Sequence, residues 1–462
     1  MFNLNLHNFR SFQNEHIEFS KINILIGENS GGKSSLLKFL LSLKQTLENP
    51  QEANLKLRGD YTDLGNYEEV IFNKIKSRKL KFGFESRELY HEYFKKNGAN
   101  ILGVQKAPQN IKDSILKIGD NGLSHNTEIF FEISSKLNEH NNINTIIRNN
   151  GLGELLILQK KGDKKNSSQR ELNCDLEYTH NGKKLKFDNC IAFKEGFFSF
   201  VGHELKNLCE KKLKNKHHTV YYSIAYLLIF QNFIQEEILR MKFVNPIGTN
   251  PKRFYFQEDK KANYKMIDIE KFVSLMGDTE SDKKFKGRIE MFNKIIKDFG
   301  IAEKIEVIKD KTLPVLALNV KTNGFWSNIT DVGYGVSLQI PILFQALMSE
   351  KYTGGRGETI LIEQPEVHLH PNLQAKFIET LLGIGTNNNY IIETHSEHII
   401  RKLQVLVKLK KIKPADVTIH YFKRNIEKFE VTKHSILEDG KLSSPFPAGF
   451  YDTTYSLVKQ LL

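Results

Sequence analysis

The sequence predicts an α/β protein whose two distant ends build one mixed sheet, with an inserted α/β region between them and a small C-terminal appendage. Three observations carry this. First, the strand-like run IEFSKINILI breaks at GENSGGKS (Gly27 to Ser34) and passes into SLLKFLLSLKQTL, where Leu36, Leu37, Leu40, Leu41 and Leu43 recur at helical spacing. Second, TILIEQPE and NYIIETHS open with apolar runs too short for a helix, as parallel strands covered on both faces do. Between these runs PNLQAKFIETLLGIG reads as a helix stopped by glycine. Third, the stretch joining the two ends changes character, with Lys, Asn and short polar turns dominating from about residue 76.

Taken in order, residues 1–75 supply the first half of the sheet, opening with the alternating NLNLHNFRSF. Residues 76–300 form the insert, partly helical and basic, with strand-like EIFFEIS and LLILQ and the basic knot KKLKNKHH from Lys211 to His218. Its most apolar stretch, YYSIAYLLIFQNFI, contains Gln231 and Asn232 and is shorter than the roughly 20 residues a membrane span needs, so a buried helix is expected. Residues 301–425 complete the sheet, and residues 426–462 are the appendage, rich in turn signals. No internal repeat and no sustained heptad pattern interrupts this order.

Composition narrows the class. A chain of 462 residues exceeds one usual hydrophobic core, and its 40% hydrophobic and 26% charged content is that of a folded protein. Lys plus Arg exceeds Asp plus Glu, 67 against 54, and the pI is near 9.2. This excess favours phosphate-bearing partners, although a lysine-rich composition alone produces the same balance. The three cysteines, Cys174, Cys190 and Cys209, form no CxxC pair, which argues against a disulfide framework or zinc site and fits a reducing cytosol. The opening MFNLNLHNFRSF lacks a basic leader before an apolar core, so a soluble, cytoplasmic protein is expected.

GENSGGKS fits GxxxxGK[ST] with the strand before it and the helix after it that the motif requires. Its chemistry needs backbone amides wrapped around a polyphosphate, and Gly27, Glu28, Asn29, Ser30, Gly31, Gly32, Lys33, Ser34 and Ser35 provide them. Lys33 would neutralise the terminal phosphates of ATP, and Ser34 would present its hydroxyl to Mg²⁺. The apolar strand ending at Glu363 supplies a second metal ligand. His395, just beyond the next strand, is placed to hydrogen-bond the γ-phosphate. TDVGYGVSLQIPILFQAL sets Gly333, Gly335 and Ser337 at the start of an apolar helix, a second anion site of free backbone amides.

In this order of P-loop, glycine-serine signature, carboxylate strand, HLHP turn and THS histidine, the chain resembles ABC-type ATPases of the SMC, Rad50 and OLD branch. NFRSF, LRGDYTDLGNYEEVIF (Leu57 to Phe72) and FPAGFYD resemble the stand-alone bacterial ATPases of anti-phage operons such as Septu, PARIS and some retron systems. The resemblance implies a P-loop NTPase head of ABC type that dimerises or assembles further. Each ATP would then be shared between one subunit's Gly32, Lys33 and Ser34 and the partner's signature. It also implies a cytoplasmic sensor and scaffold acting on a separate effector, such as a nuclease, since neither an HNH cluster nor a Toprim constellation is evident. The partners it admits include DNA or a phage component, and no membrane partner is expected. The alternative is a DNA-repair or DNA-binding ATPase of SMC type that grips phosphates through the basic insert.

Two departures from the family pattern bear on turnover. Nothing in DYTDLGNYEE supplies the Q-loop glutamine, so either Asp63 or Asn66 replaces it or Mg²⁺ is held with fewer protein ligands. Gln364 stands where many relatives carry a glutamate. An amide cannot take a proton, and positioned bases contribute on the order of 10² to 10⁴ in rate. Slow ATP hydrolysis is therefore expected, with Glu363 on the metal, Gln364 orienting water, Glu366 as a candidate base and His395 on the phosphate.

Overall fold

The computed structural model describes residues 2–49, 55–101, 117, 120, 125–133, 144–159, 172–192, 218–244, 250–256, 268–277, 283–352, 357–424, 429–446 and 459–460. In chain order its elements begin with β1 (Asn3–Phe9), β2 (Phe12–Ile17), β3 (Ile22–Gly27), α1 (Lys33–Leu47), α2 (Tyr67–Val70), β4 (Leu80–Ser86) and α3 (Glu88–Ile101). There follow β5 (Thr127–Ile133), β6 (Asn144–Asn149), β7 (Gly153–Gln159), β8 (Leu172–His180), β9 (Lys183–Ala192), α4 (His218–Leu239), β10 (Met241–Val244) and β11 (Tyr255–Phe256). The rest comprises α5 (Ile269–Gly277), α6 (Lys283–Phe299), β12 (Lys304–Lys309), β13 (Val315–Thr322), β14 (Phe325–Asn328) and α7 (Tyr334–Tyr352). Last come β15 (Thr359–Glu363), α8 (Pro371–Ile384), β16 (Asn389–Glu393), α9 (Glu397–Lys408), β17 (Val417–Arg424) and β18 (Phe429–Ser435).

Two compact units result. The first contains residues 1–19, 35–240 and 425–430, and the second residues 20–34, 241–424 and 431–462. The first is built on an eight-stranded sheet ordered β2-β1-β4-β5-β6-β7-β8-β9, with every neighbouring pair antiparallel. Its strands alternate: Ile129, Phe131 and Ile133 of β5 are buried while Glu128, Phe130 and Glu132 stay half-exposed. Helix α4 is apolar nearly all round and is correspondingly buried. Its Tyr226 and Phe230 each meet the ring of Tyr90 at 4.8 Å between centroids. The expected buried helix is therefore present, and among the described residues no helix is long and apolar enough to cross a membrane.

The second unit holds a six-stranded sheet ordered β10-β15-β16-β3-β17-β18, in which β10, β15, β16, β3 and β17 are parallel. Here the N-terminal strand β3 lies between two strands from the far end of the chain, with Ile24 opposite Ile392 on one side and Ile419 on the other. Both faces are covered, so these strands read as unbroken apolar runs. Each fully buried isoleucine among Ile24, Ile360, Ile362 and Ile392 contributes roughly 1.5–3 kcal/mol. The loops at the strand ends thus rest on a stiff frame. A second sheet, β11-β13-β12 with β14 also on β13, packs its buried Leu316, Leu318 and Val320 into the same core.

The segment boundaries differ from those drawn on the sequence. Strands β4 to β9 share an antiparallel sheet with β1, and β10, inside the supposed insert, pairs with β15 through Phe243 and Leu361. Strand pairing, which a change of composition does not report, sets these divisions. The supposed appendage begins with β18, an edge strand of the six-stranded sheet. The basic knot Lys211–Lys216 and the FPAGFYD ending beyond Phe446 lie outside the described residues.

Candidate functional site

The glycine loop joins β3 to α1, and its path is set by backbone contact. A Cβ at Gly27, where φ is +133°, would meet the Phe422 carbonyl oxygen at 2.1 Å, so only glycine fits beside β17. Glu28 N–H donates to that same oxygen at 3.3 Å. Ser30 and Gly32 also take positive φ, 61° and 92°. Glu28, Asn29 and Ser30 are exposed, whereas Gly31, Gly32 and Lys33 are buried. Helix α1 carries no acid of its own in its first turn.

Lys33 is only 4% exposed, and its Nζ donates to the carbonyls of Gly27 at 2.9 Å and Glu28 at 2.7 Å. Burial pushes its pKa below the usual 10.5, while Glu393 and Glu28 pull it back up. Ser34 Oγ donates to Glu393 Oε1 at 2.8 Å. Glu393 ends β16 directly opposite Glu363 at the end of β15, so two carboxylates stand side by side at the strand tips. Sequence reasoning named Glu363 and missed Glu393. The signal was present, because NYIIE repeats the pattern of TILIE, an apolar run closed by glutamate.

The turn after β15 is over-determined. Gln364 sits at φ 44° with its N–H on the Glu393 carbonyl at 2.7 Å, and His368 has φ 61°. Gln339 Nε2 donates to the Pro365 carbonyl at 2.7 Å. His370 caps α8 by accepting from Asn372 N–H, with Pro371 at the first helical position, as the HLHP reading expects. Glu366 Oε1 accepts from His395 N–H at 2.6 Å, and its buried Oε2 makes no hydrogen bond of good geometry. Burial raises the Glu366 pKa, opposed by the His395 amide and the Thr394 hydroxyl.

His395 projects an exposed imidazole from the loop after β16. Burial of part of the ring and the charge of Lys33 both hold its pKa below 6.5, so the neutral form is favoured. The adjacent Ser396 caps α9 and donates to Gln374 Oε1 at 2.6 Å. At the signature, Gly333 is exposed, but Gly335 packs against the His368 carbonyl, where a Cβ would lie 2.6 Å away. Ser337 is 3% exposed and its Oγ donates to the Tyr334 carbonyl at 2.8 Å.

Elsewhere, Asp63 accepts from Gly65 N–H at 2.8 Å, and Asn66 caps α2 in a reciprocal capping box with Glu69. Arg10, from NFRSF, donates to Ser35 Oγ at 3.4 Å, a contact that the sequence reading did not assign. Phosphate loop, paired carboxylates, amide-bearing turn and neutral imidazole together suit a magnesium-bound polyphosphate.

Residues 1–400 match a family described as AAA ATPase domain, and residues 412–461 match a protein of unknown function (DUF3696). Similar solved structures include the Smc head bound to the C-winged helix domain of ScpA, at 11% identity and TM-score 0.43 over 94% of this chain and 97% of that one. An SMC head domain from Thermotoga maritima gives 10% identity and TM-score 0.37 over 93% and 97%. An Smc head with an extended coiled coil bound to the C-terminal domain of ScpA from Pyrococcus furiosus gives 11% and 0.41 over 100% of both chains. No curated protein matches.

Proposed function

Because the chain belongs to the AAA ATPase domain family over residues 1–400, we propose that it binds Mg²⁺-ATP at the loop Gly27–Ser34 and hydrolyses it slowly. The observation that carries this reading is the junction of Ser34 with Glu393 beside Lys33. It supplies a hydroxyl, a carboxylate and an ammonium within one loop and one strand end.

The donor set fits magnesium. Ser34, Glu363 and Glu393 offer hard oxygens, and among the described residues no group of three or more His, Cys, Asp or Glu could hold an ion unaided. That suits a cation bound by one or two carboxylates together with phosphates. Bound there, it would neutralise charge on the phosphate oxygens.

The chain's own residues do the remainder. Lys33 would exchange the Gly27 and Glu28 carbonyls for phosphate oxygens, and the loop amides would wrap the phosphates. His395, held neutral, would donate an N–H to the terminal phosphate. Gln364 would orient the attacking water, and since it cannot accept the proton, turnover would be slow.

The finer reading is a nucleotide-gated sensor and scaffold of a bacterial anti-phage system that controls a separate effector, such as a nuclease. Its support is the sequence resemblance in NFRSF, LRGDYTDLGNYEEVIF and FPAGFYD. Pairing of two copies through the signature is part of that reading, with Gly333 exposed at the start of α7. A second reading, a DNA-binding ATPase of SMC type, is favoured by the excess of 13 positive charges. Calorimetric titration with Mg²⁺-ATP tests the core proposal: binding is expected in the wild type and absent in Lys33→Ala. Unchanged binding in Lys33→Ala would end it. DNA affinity that falls steeply with salt would favour the second reading over the first.

A further inference from the structure

We propose that Glu366 is a positioning residue for the phosphate-facing histidine loop and does not deprotonate the attacking water. This rests on the ATPase reading above and assigns Glu366 a role within that site. The candidate base of the sequence reading has its Oε1 engaged with the main chain: His395 N–H donates to it at 2.6 Å, a short charge-assisted bond.

The surrounding turn fixes the main chain that carries this carboxylate. Val367 N–H donates to the Gln364 carbonyl at 3.3 Å, Leu369 N–H to the Glu366 carbonyl at 3.0 Å, and Gln339 Nε2 to the Pro365 carbonyl at 2.7 Å. A swing of Glu366 toward water would release the His395 N–H, while the three carbonyl bonds keep the main chain at Glu366 where it is. Meanwhile the loop after β16 is gripped on either side of Thr394. Glu393 O takes the Gln364 N–H and Glu366 takes the His395 N–H. Two bonds from one turn thus set the main chain from which the imidazole projects.

The arrangement also reaches the signature helix. Gln339 of α7 holds Pro365, and Gly335 lies against His368, so the turn bearing Glu366 is clamped to α7 on one side and to His395 on the other. A displacement of α7 would reach the imidazole through this turn.

Positioning and proton transfer make opposite demands on the side chain. Glutamine at 366 keeps an oxygen for the His395 N–H but cannot take a proton. Methionine, of similar length, offers no oxygen of either kind. Full-length wild type, Glu366→Gln, Glu366→Met and Glu366→Ala would be compared in steady-state phosphate release across pH, with calorimetric binding of a non-hydrolysable ATP analogue alongside. The expected result is a Glu366→Gln protein within about threefold of wild-type kcat with an unaltered pH profile. Glu366→Met and Glu366→Ala should fall about 10- to 100-fold, the scale of a misplaced catalytic group. Loss in Glu366→Gln equal to that in Glu366→Met would overturn the proposal in favour of a base, and full activity in all three would overturn it as well. Should Glu366→Ala not fold, the comparison of Gln with Met decides. Absence of analogue binding in the wild type would instead remove the ATPase reading, which separates the two failures.

Discussion

Ser34 Oγ donates to Glu393 Oε1 at 2.8 Å, and Glu393 stands directly across the strand pair from Glu363. The phosphate loop is therefore tied to the second of two neighbouring carboxylates, and a cation held by the Ser34 hydroxyl would have Glu393 within its reach. Glu393→Gln should weaken ATP binding in the presence of Mg²⁺ by roughly 10- to 100-fold, the scale of a lost hydrogen bond to a charged group. In EDTA the substitution should change affinity little. Calorimetry in the two buffers checks this, and equal affinities with Mg²⁺ would remove Glu393 from the metal's surroundings.

Gln364 holds its amide at the tip of β15 on a backbone with φ of 44°. Glutamate pays the same backbone cost, so Gln364→Glu should fold like the wild type and differ in chemistry alone. A carboxylate there can take the water's proton, and phosphate release should rise at least about tenfold, toward the range of a positioned base. An unchanged rate would mean that a step other than water activation limits turnover.

Much of this frame was legible because its signals are local. GENSGGKS required a strand before it and a helix after it, and β3 and α1 are there; the apolar runs ending in Glu363 and Glu393 are parallel strands buried on both faces. Glu393 was less legible because its place depends on long-range contacts, its pairing with Glu363 and its bond from Ser34, that the local run NYIIE does not display. The division of the chain was illegible for a different reason. Pairing of β10 with β15, or of β4 with β1, joins segments far apart in sequence, and alternation reveals that a strand exists without revealing its neighbour. At the signature helix, the Ser337 hydroxyl donates to the Tyr334 carbonyl within its own first turn.

The signature contains a paired test of packing. A Cβ on Gly335 would meet the His368 carbonyl oxygen at 2.6 Å, whereas a Cβ on Gly333 would have nothing within 4 Å. Gly335→Ala should force the turn after β15 away from α7 and cost about 1–3 kcal/mol in a denaturant melt, as overpacking does. Gly333→Ala should be close to neutral in the same melt. Because the displaced turn carries Gln364 and Glu366, Gly335→Ala should also lower phosphate release beyond what its stability loss explains at temperatures well below the melt.

His395 gives the site a defined acid limit. Its folded pKa lies below 6.5 through burial first and the Lys33 charge second, so folding favours the neutral imidazole. A depressed value contributes stability that is present above the unfolded pKa and is lost as pH falls through the folded one. Nucleotide-free protein should therefore hold its melting temperature from pH 8 down to about 6.5 as far as this group is concerned, and lose stability below that. Hydrolysis should keep its plateau beyond 6.5 on the acid side for the same reason. On the basic side it should fail before 10.5, because burial also lowers the pKa of Lys33, whose charge the phosphates need. His395→Gln should make the acid part of the melting profile shallower, the remainder belonging to His7 and His434, which burial also holds below 6.5, while leaving the Lys33 limb of the nucleotide-binding profile in place. An acid limb unchanged in His395→Gln would assign that limb to another group.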